Sequence, residues 1–481
     1  MTNTWPLARR RVPEREAFAF AATLLFIVFA GDGVSNLLSY YGWAVVCAAA
    51  GAWGVSILVR ARPSFRRTPP GLWILLGWCL LSVAWSHWRI ATISSLLAQV
   101  LCTLVAFVVA STLSWRRIVD ALSLALRWVL SLSLVFEFVV AVVVRHPVYP
   151  VWTHYGDRKV PDAFAFSRAE LFTGGRIQGL PGNANLLAMV ALLAAIAVGI
   201  QLAEDRMKRV RATGWLVVAA AVFLLTRSST VIVAAVVVAV VLFAAVAVRR
   251  VPTGRRAPWY LGGLTAVLLV GGLVAVASRP ITALLGRNAT LTGRSDIWSD
   301  VWNELVVHHP VLGWGWIGYW WPAISPLNHV HVQNGVTYLQ AHNAYLDMWM
   351  QIGAIGLVLF LVYVIGAVVR SWWNATAISR GPDLEPKPFD PVSLAALLLV
   401  TALLVQSFAE SRLLYEGNWI LFAILAIKTR SVLVGEEPVS TGDGPRTPVA
   451  RREFRRGAAD GRATRERAPR EPARRESSRR L

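Results

Sequence analysis

The sequence predicts an all-α, polytopic integral membrane protein of about twelve transmembrane helices, with a long outer-face loop between helices 9 and 10 and a disordered basic tail. Three observations predict it. The 481 residues are 56% hydrophobic, and only 16% are charged, against about 25% in a soluble chain. The mean hydropathy is +0.53. The apolar residues fall in runs long enough to cross about 30 Å of hydrocarbon, with basic clusters between them. This pattern excludes a soluble enzyme, a nucleic-acid-binding domain and a disulfide scaffold. It also excludes an outer-membrane barrel, whose strands alternate apolar and polar over about 10 residues.

The predicted spans are 17–31, 41–59, 70–86, 91–113, 118–144, 183–202, 212–226, 228–248, 258–278, 343–369, 391–409 and 415–433. The first run has no small-residue cleavage site after it and reads as a retained span. From Ala212 to Val248 the only charge is Arg227. One straight helix there would be roughly 55 Å long, so the stretch must be a hairpin of two short spans turning at Arg227.

Placing the N-terminus in the cytoplasm puts twenty-three Lys and Arg of the inside segments against three, Arg89, Arg227 and Arg412, in the short outside turns. That asymmetry predicts cytoplasmic termini and explains a net charge of +21 without nucleic acid. The predicted organisation is a cytoplasmic N-terminus (1–16), a transmembrane domain (17–433) with outer-face loops at 145–182 and 279–342, and an Arg-rich cytoplasmic tail (434–481). The tail has almost no large apolar residues and cannot bury a core. All eight His fall in the outer segments. Cys47, Cys79 and Cys102 lie inside apolar runs, which argues against a disulfide or a Cys-based zinc site.

The chemistry is therefore expected outside. In LTGRSDIWSDVWNELVVHHP, residues 291–310, Ile297, Val301, Leu305 and Val306 recur at helical spacing with Trp298 and Trp302, while Asp296, Asp300 and Glu304 lie opposite. Thr292 or Ser295 can cap this helix and Pro310 ends it. An amphipathic helix of this kind is expected in the outer interface, and Arg294 at its first turn suits an anion. In PVLGWGWIGYWW, residues 310–321, Trp314 and Trp316 offer faces for sugar stacking or for headgroup anchoring. His342, in QAHNAYL, can take a proton from a hydroxyl near neutral pH or make a structural hydrogen bond. His329 and His331 have no third ligand at helical spacing, so no metal site is predicted. Arg227, in LLTRSSTV, is expensive between two short spans unless paired and marks a functional site. Arg176, in GGRIQGLPGNAN, precedes span 6; Glu410 and Arg412, in FAESRLL, occupy the outer turn between spans 11 and 12, where they can pair with each other. Several arginines thus converge on one face, and Arg suits bidentate phosphate binding.

These motifs resemble the O-antigen ligase and O-antigen polymerase family of polytopic membrane glycosyltransferases. The resemblance rests on TGRSDIW with PVLGWG downstream, HNAYLDMWMQIGAIGL, RIQGLPGNANLLA, LLTRSSTVIVA, LSVAWSHW and QSFAESRL, across roughly residues 70–430. It implies metal-independent transfer, with no cofactor, of a glycan from a polyprenyl diphosphate carrier to an acceptor hydroxyl on the outer face of a bacterial cytoplasmic membrane. The acceptor would be a glycan, lipid or protein; the other partners would be membrane lipids, with no nucleic acid. Carried over by motif, Arg227 and Arg294 would bind the diphosphate, and His342 would orient or deprotonate the acceptor. Arg176, Asn185, Asn343, Trp314, Trp316 and Arg412 would bind substrate. The Arg-rich tail and the His329/His331 segment depart from the family pattern. A transporter of lipid-linked saccharides is the rival reading. It requires charges at mid-membrane and a path to both faces; here the spans are nearly free of charge apart from Arg127 and Glu137.

Overall fold

The computed structural model describes residues 12–153, 160–161, 164–263, 265, 294–333, 336–378 and 389–433. Its contacts separate Met1–Pro438 from Val439–Leu481, and the second unit, with the predicted tail, lies outside the described residues. So do Thr292, most of predicted span 9 and residues 1–11 of the N-terminal segment.

The protein is mostly helical. The major helices are α1 (Glu14–Phe29), α2 (Gly31–Ala61), α3 (Pro70–Leu81), α4 (Arg89–Thr112), α5 (Trp115–Val139), α6 (Ala184–Ala203), α7 (Arg209–Thr226), α8 (Ser229–Arg250), α9 (Arg294–Val301), α10 (Ala344–Thr376), α11 (Ala395–Ser407) and α12 (Glu416–Leu433). Among the described residues, seven helices are long and apolar enough to cross a membrane: α2, α4, α5 with its extension to Val144, α6, α7, α8 and α10. Two shorter apolar helices, Pro70–Ala84 and Pro391–Ser407, coincide with predicted spans 3 and 11. The helices α1 and α12 stand at predicted spans 1 and 12. The chain is a multi-pass membrane protein.

Burial sorts the bundle. In α6, 72% of the membrane-length window is buried, against 17% in α2 and 22% in α7, so α6 is central and the others face outward. Helix α12 is buried from Trp419 to Ile427, which lets a helix containing Lys428 sit among the spans. The Ala212–Val248 stretch is the expected hairpin. Helix α7 ends at Thr226, Arg227 takes a left-handed conformation (φ 47°, ψ 41°), and the Ser228 hydroxyl accepts from the Val231 N–H to start α8.

Helix α10 is not continuous. Its backbone leaves the helical region at Ile352 and Gly353 (φ 70°), which frees backbone groups at membrane depth. The PVLGWG segment satisfies them. Trp314 N–H donates to the Met350 carbonyl at 3.1 Å, Gly315 N–H to that of Gln351 at 2.8 Å, and Ala354 N–H to that of Pro310 at 2.9 Å. The Trp78 indole donates to the Ile352 carbonyl at 3.0 Å. Irregular backbone is tolerated in a membrane protein where protein groups re-satisfy it. The approach needs glycine: a Cβ on Gly353 would meet the Val311 carbonyl oxygen at 2.0 Å.

The same loop builds a second core. Trp320 and Ile317 pack with Ile297, Val301 and Leu305 of the 294–306 segment and with Met350. The apolar face predicted for an interfacial helix is thus covered by protein. Trp302 is the exception: a π-type turn over Trp302–Val306 follows α9, and the indole is 42% exposed.

Candidate functional site

Six helix ends meet at one end of the bundle. Helices α7 and α11 finish there; α6, α8, α9 and α10 begin there. At the centre is Glu410, buried at the end of the turn after α11. Its Oε1 accepts from Arg294 Nη2 at 2.9 Å and from Asn185 Nδ2 at 3.1 Å. Its Oε2 lies 3.1 Å from His342 Nδ1. Burial alone would raise this carboxyl; the His342 charge and hydrogen bond, then Arg294 and Asn185, pull it instead from 4.5 down to about 2. Beside Arg294 and a charged His342, Glu410 is therefore held as the anion.

A carboxylate only accepts, so it places the His342 proton on Nδ1 and leaves Nε2 as the basic nitrogen. The nearest described donor to Nε2 is the Gln340 amide at 3.5 Å, too long to hold it strongly. The imidazole side chain is 19% exposed. His342 itself takes φ 50°, an uncommon conformation for a non-glycine residue, and Asn343 then caps α10 by accepting from the Tyr345 and Leu346 N–H groups at 3.0 and 3.2 Å. The ring is thus held by a turn, a cap and a buried anion.

The arginines differ in their company. Arg294 is pinned between Glu410 and the Thr230 hydroxyl, 3.3 Å from its Nη1. Arg176 donates from Nε to the Thr226 carbonyl at 2.9 Å and from Nη2 to Asn185 Oδ1 at 2.8 Å. Desolvation, then the charges of Arg168 and Arg294, push Arg176 below its ordinary value, as expected where cations crowd without enough anions. Arg227 is exposed and has no acidic partner among the described residues. A Cβ on Gly174 would lie 3.6 Å from its Nη2, which sets the guanidinium beside the Arg176 loop. That loop is fastened by Glu137, whose Oε1 accepts from the Gln178 and Gly179 N–H groups at 2.8 and 2.7 Å and whose Oε2 accepts from the Ser167 hydroxyl at 2.8 Å. The intramembrane charge of predicted span 5 is thus a loop anchor.

Residues 214–361 match the O-antigen ligase family. This segment belongs to the O-antigen ligase family. No curated protein matches the chain. The match supports a membrane enzyme of glycosyltransferase type that ligates or polymerises glycans. Arg227, Arg294 and His342 lie inside the matched O-antigen ligase segment, whereas Arg176, Asn185 and Glu410 lie outside it and are brought to it by the fold.

The remaining predicted site residues are dispersed. Asn343 is spent on its cap. Trp314 stacks on Trp88 (5.5 Å, 12°) and meets His309 edge-on at 4.3 Å. Trp316 is 1% exposed inside the core, so its face is not open to a sugar. A Glu410–Arg412 pair does not form: Arg412 binds Asp32 at 2.8 Å and Glu416 at 3.0 Å. Residues two apart in a turn point different ways, and a carboxylate 380 positions away in sequence won. His331 binds Asp300 at 2.7 Å and His329 binds Asn328 at 2.8 Å; among the described residues no group of three His, Cys, Asp or Glu is placed to hold a metal. Sequence reasoning named Glu410 only beside Arg412 and left it out of the candidate site. The available signal was an ionisable residue at a span end, which by default marks function.

Proposed function

We propose that the protein transfers a glycan from a polyprenyl diphosphate carrier to an acceptor hydroxyl at the outer face of the bacterial cytoplasmic membrane, polymerising or ligating a surface polysaccharide. The observation that carries this is the Glu410-centred cluster. One buried carboxylate holds a histidine base and an arginine together, and two further arginines stand beside them.

In the proposed reaction the acceptor oxygen attacks the anomeric carbon of the donor sugar. The bond from that carbon to the carrier's diphosphate oxygen breaks. The acceptor proton passes to His342 Nε2, and Glu410 stabilises the imidazolium that forms. Arg227 and Arg176 are the guanidiniums best placed to receive the leaving diphosphate, as bidentate donors. Arg294 adds a fixed positive charge, though its fork is partly occupied by Glu410. Cations already in position where negative charge develops need no reorganisation during the reaction. The acceptor is a glycan, a lipid or a protein hydroxyl.

Purified protein with a defined polyprenyl diphosphate glycan tests this, with and without chelator. Glycan on the acceptor, undiminished by EDTA, is expected. Movement of the lipid across liposomes without product would replace the enzyme by a transporter, and activity restored only by Mg²⁺ or Mn²⁺ would overturn metal independence.

A further inference from the structure

A second cationic site lies at the opposite end of the bundle. Helix α7 enters at Arg209 and reaches the His342 end only at Thr226. Near its start, Arg211 and Trp215 join Leu124, Arg127, Trp128 and Ser131 of α5 in lining a cavity of about 200 Å³. Under the predicted orientation this end meets the cytoplasmic leaflet.

Arg127 is the anomaly. It is 9% exposed, yet its Nη1 is buried without a hydrogen-bond partner among the described residues. Its Nε donates to the Ser123 carbonyl at 3.0 Å, which turns the head toward the start of α5. Its Cζ lies 5.4 Å from the Trp215 ring centroid, a cation–π contact that supports the charge without neutralising it. The nearest acid on the same helix, Asp120, is already taken: one oxygen accepts from Gln201 at 2.7 Å and the other pairs with Arg206. Arg211 likewise has no ion pair among the described residues. A guanidinium within a span is expensive unless an anion meets it, and no carboxylate lines this cavity.

We propose that the cavity holds a phosphate group, that of an anionic phospholipid headgroup. Two arginines present the forked donors that phosphate oxygens accept, and Ser131 adds a hydroxyl. The site opens to lipid, since Trp128 is 56% exposed. From it Leu132, Val135 and Val139 continue as an exposed apolar row along α5, where an acyl chain can lie as it leaves the headgroup. A headgroup with its own ammonium would set that charge against two guanidiniums, so an anionic lipid is preferred.

The test is native mass spectrometry of the full-length protein in detergent, titrated with phosphatidylglycerol, phosphatidylethanolamine or millimolar inorganic phosphate. The wild type should retain phosphatidylglycerol about tenfold more tightly than phosphatidylethanolamine. Arg127→Gln should weaken it about tenfold, the scale of one lost charge-assisted bond. Arg211→Ala should weaken it as well, and Arg66→Ala, an exposed charge elsewhere, should not. If Arg127→Gln does not fold, the exposed Arg211→Ala carries the comparison. Equal retention by wild type, Arg127→Gln and Arg211→Ala would overturn the site. Displacement of the lipid by inorganic phosphate would overturn the headgroup and assign the cavity to a soluble phosphate.

Discussion

His342 Nδ1 lies 3.1 Å from Glu410 Oε2, while the other oxygen of that carboxylate holds Arg294 at 2.9 Å. One buried anion therefore fixes the tautomer of the proposed base and the position of a fixed positive charge together.

His342→Ala should keep expression and donor-lipid binding but lose transfer by about 10²–10⁴-fold, the usual cost of losing a general base. Glu410→Gln keeps an acceptor for Nδ1 without the charge and should lose less. His329→Ala and His331→Ala should be mild. Turnover beside donor binding for the four variants decides this; transfer by His342→Ala within about threefold of wild type would remove the role of a base from His342.

The arginines should separate stability from activity. Arg227 is exposed without an acidic partner among the described residues, so Arg227→Ala should change stability by no more than about 0.5 kcal/mol while abolishing most turnover. Arg294→Ala leaves the buried Glu410 carboxylate with only His342 and Asn185 and should destabilise by about 3 kcal/mol, the low end for breaking a buried ion pair. Arg294→Lys should fold and still lose most activity, because an ammonium cannot span Thr230 and Glu410 as the fork does. Denaturation midpoints beside turnover test all three; a well-folded Arg227→Ala with full activity would end its assignment.

Acid should undo the Glu410 cluster. Its folded carboxyl titrates at about 2, against an ordinary 4.5. A depressed carboxyl contributes stability that is complete above the unfolded value and is lost as pH falls through the folded one. Wild-type stability should therefore decline between about pH 4.5 and 2 by an amount that Glu410→Gln lacks. Thermal midpoints across that window measure the difference, and parallel curves would contradict it.

Gly353→Ala should destabilise markedly, because its Cβ would sit 2.0 Å from the Val311 carbonyl oxygen and its φ is 70°. Gly77→Ala, where a Cβ meets nothing within 4 Å, is the control. Comparable melting of the two variants would show that the PVLGWG segment does not close the α10 break as described.

Both termini should be cytoplasmic. Proteolysis or tag labelling of intact cells should spare a C-terminal tag and reach it only after permeabilisation. Labelling from outside would invert the proposed arrangement, and with it the face on which the His342 cluster works.

The sequence by itself determined the features that depend on local pattern. Apolar run length located the seven described helices that are long and apolar enough to cross a membrane, because hydrocarbon demands about 20 consecutive apolar residues. The single charge in 212–248 located the α7–α8 turn, because no straight helix of that length fits the bilayer. The motifs TGR and HNAY located Arg294 and His342. What only the tertiary structure decided was pairing. Glu410 and Arg412 are two residues apart and looked like partners, yet one binds His342 and Arg294 and the other binds Asp32 and Glu416. Trp316 looked like a sugar platform and is core, because the break at Ile352–Gly353 draws the PVLGWG segment inward to satisfy its carbonyls. Arg127 stood out in the sequence only as a charge within a span, and it lines a cavity that two helices make together. Composition and periodicity act over one or two helical turns, whereas the partner of a buried charge is set by which distant backbone segments the bundle brings within about 3 Å.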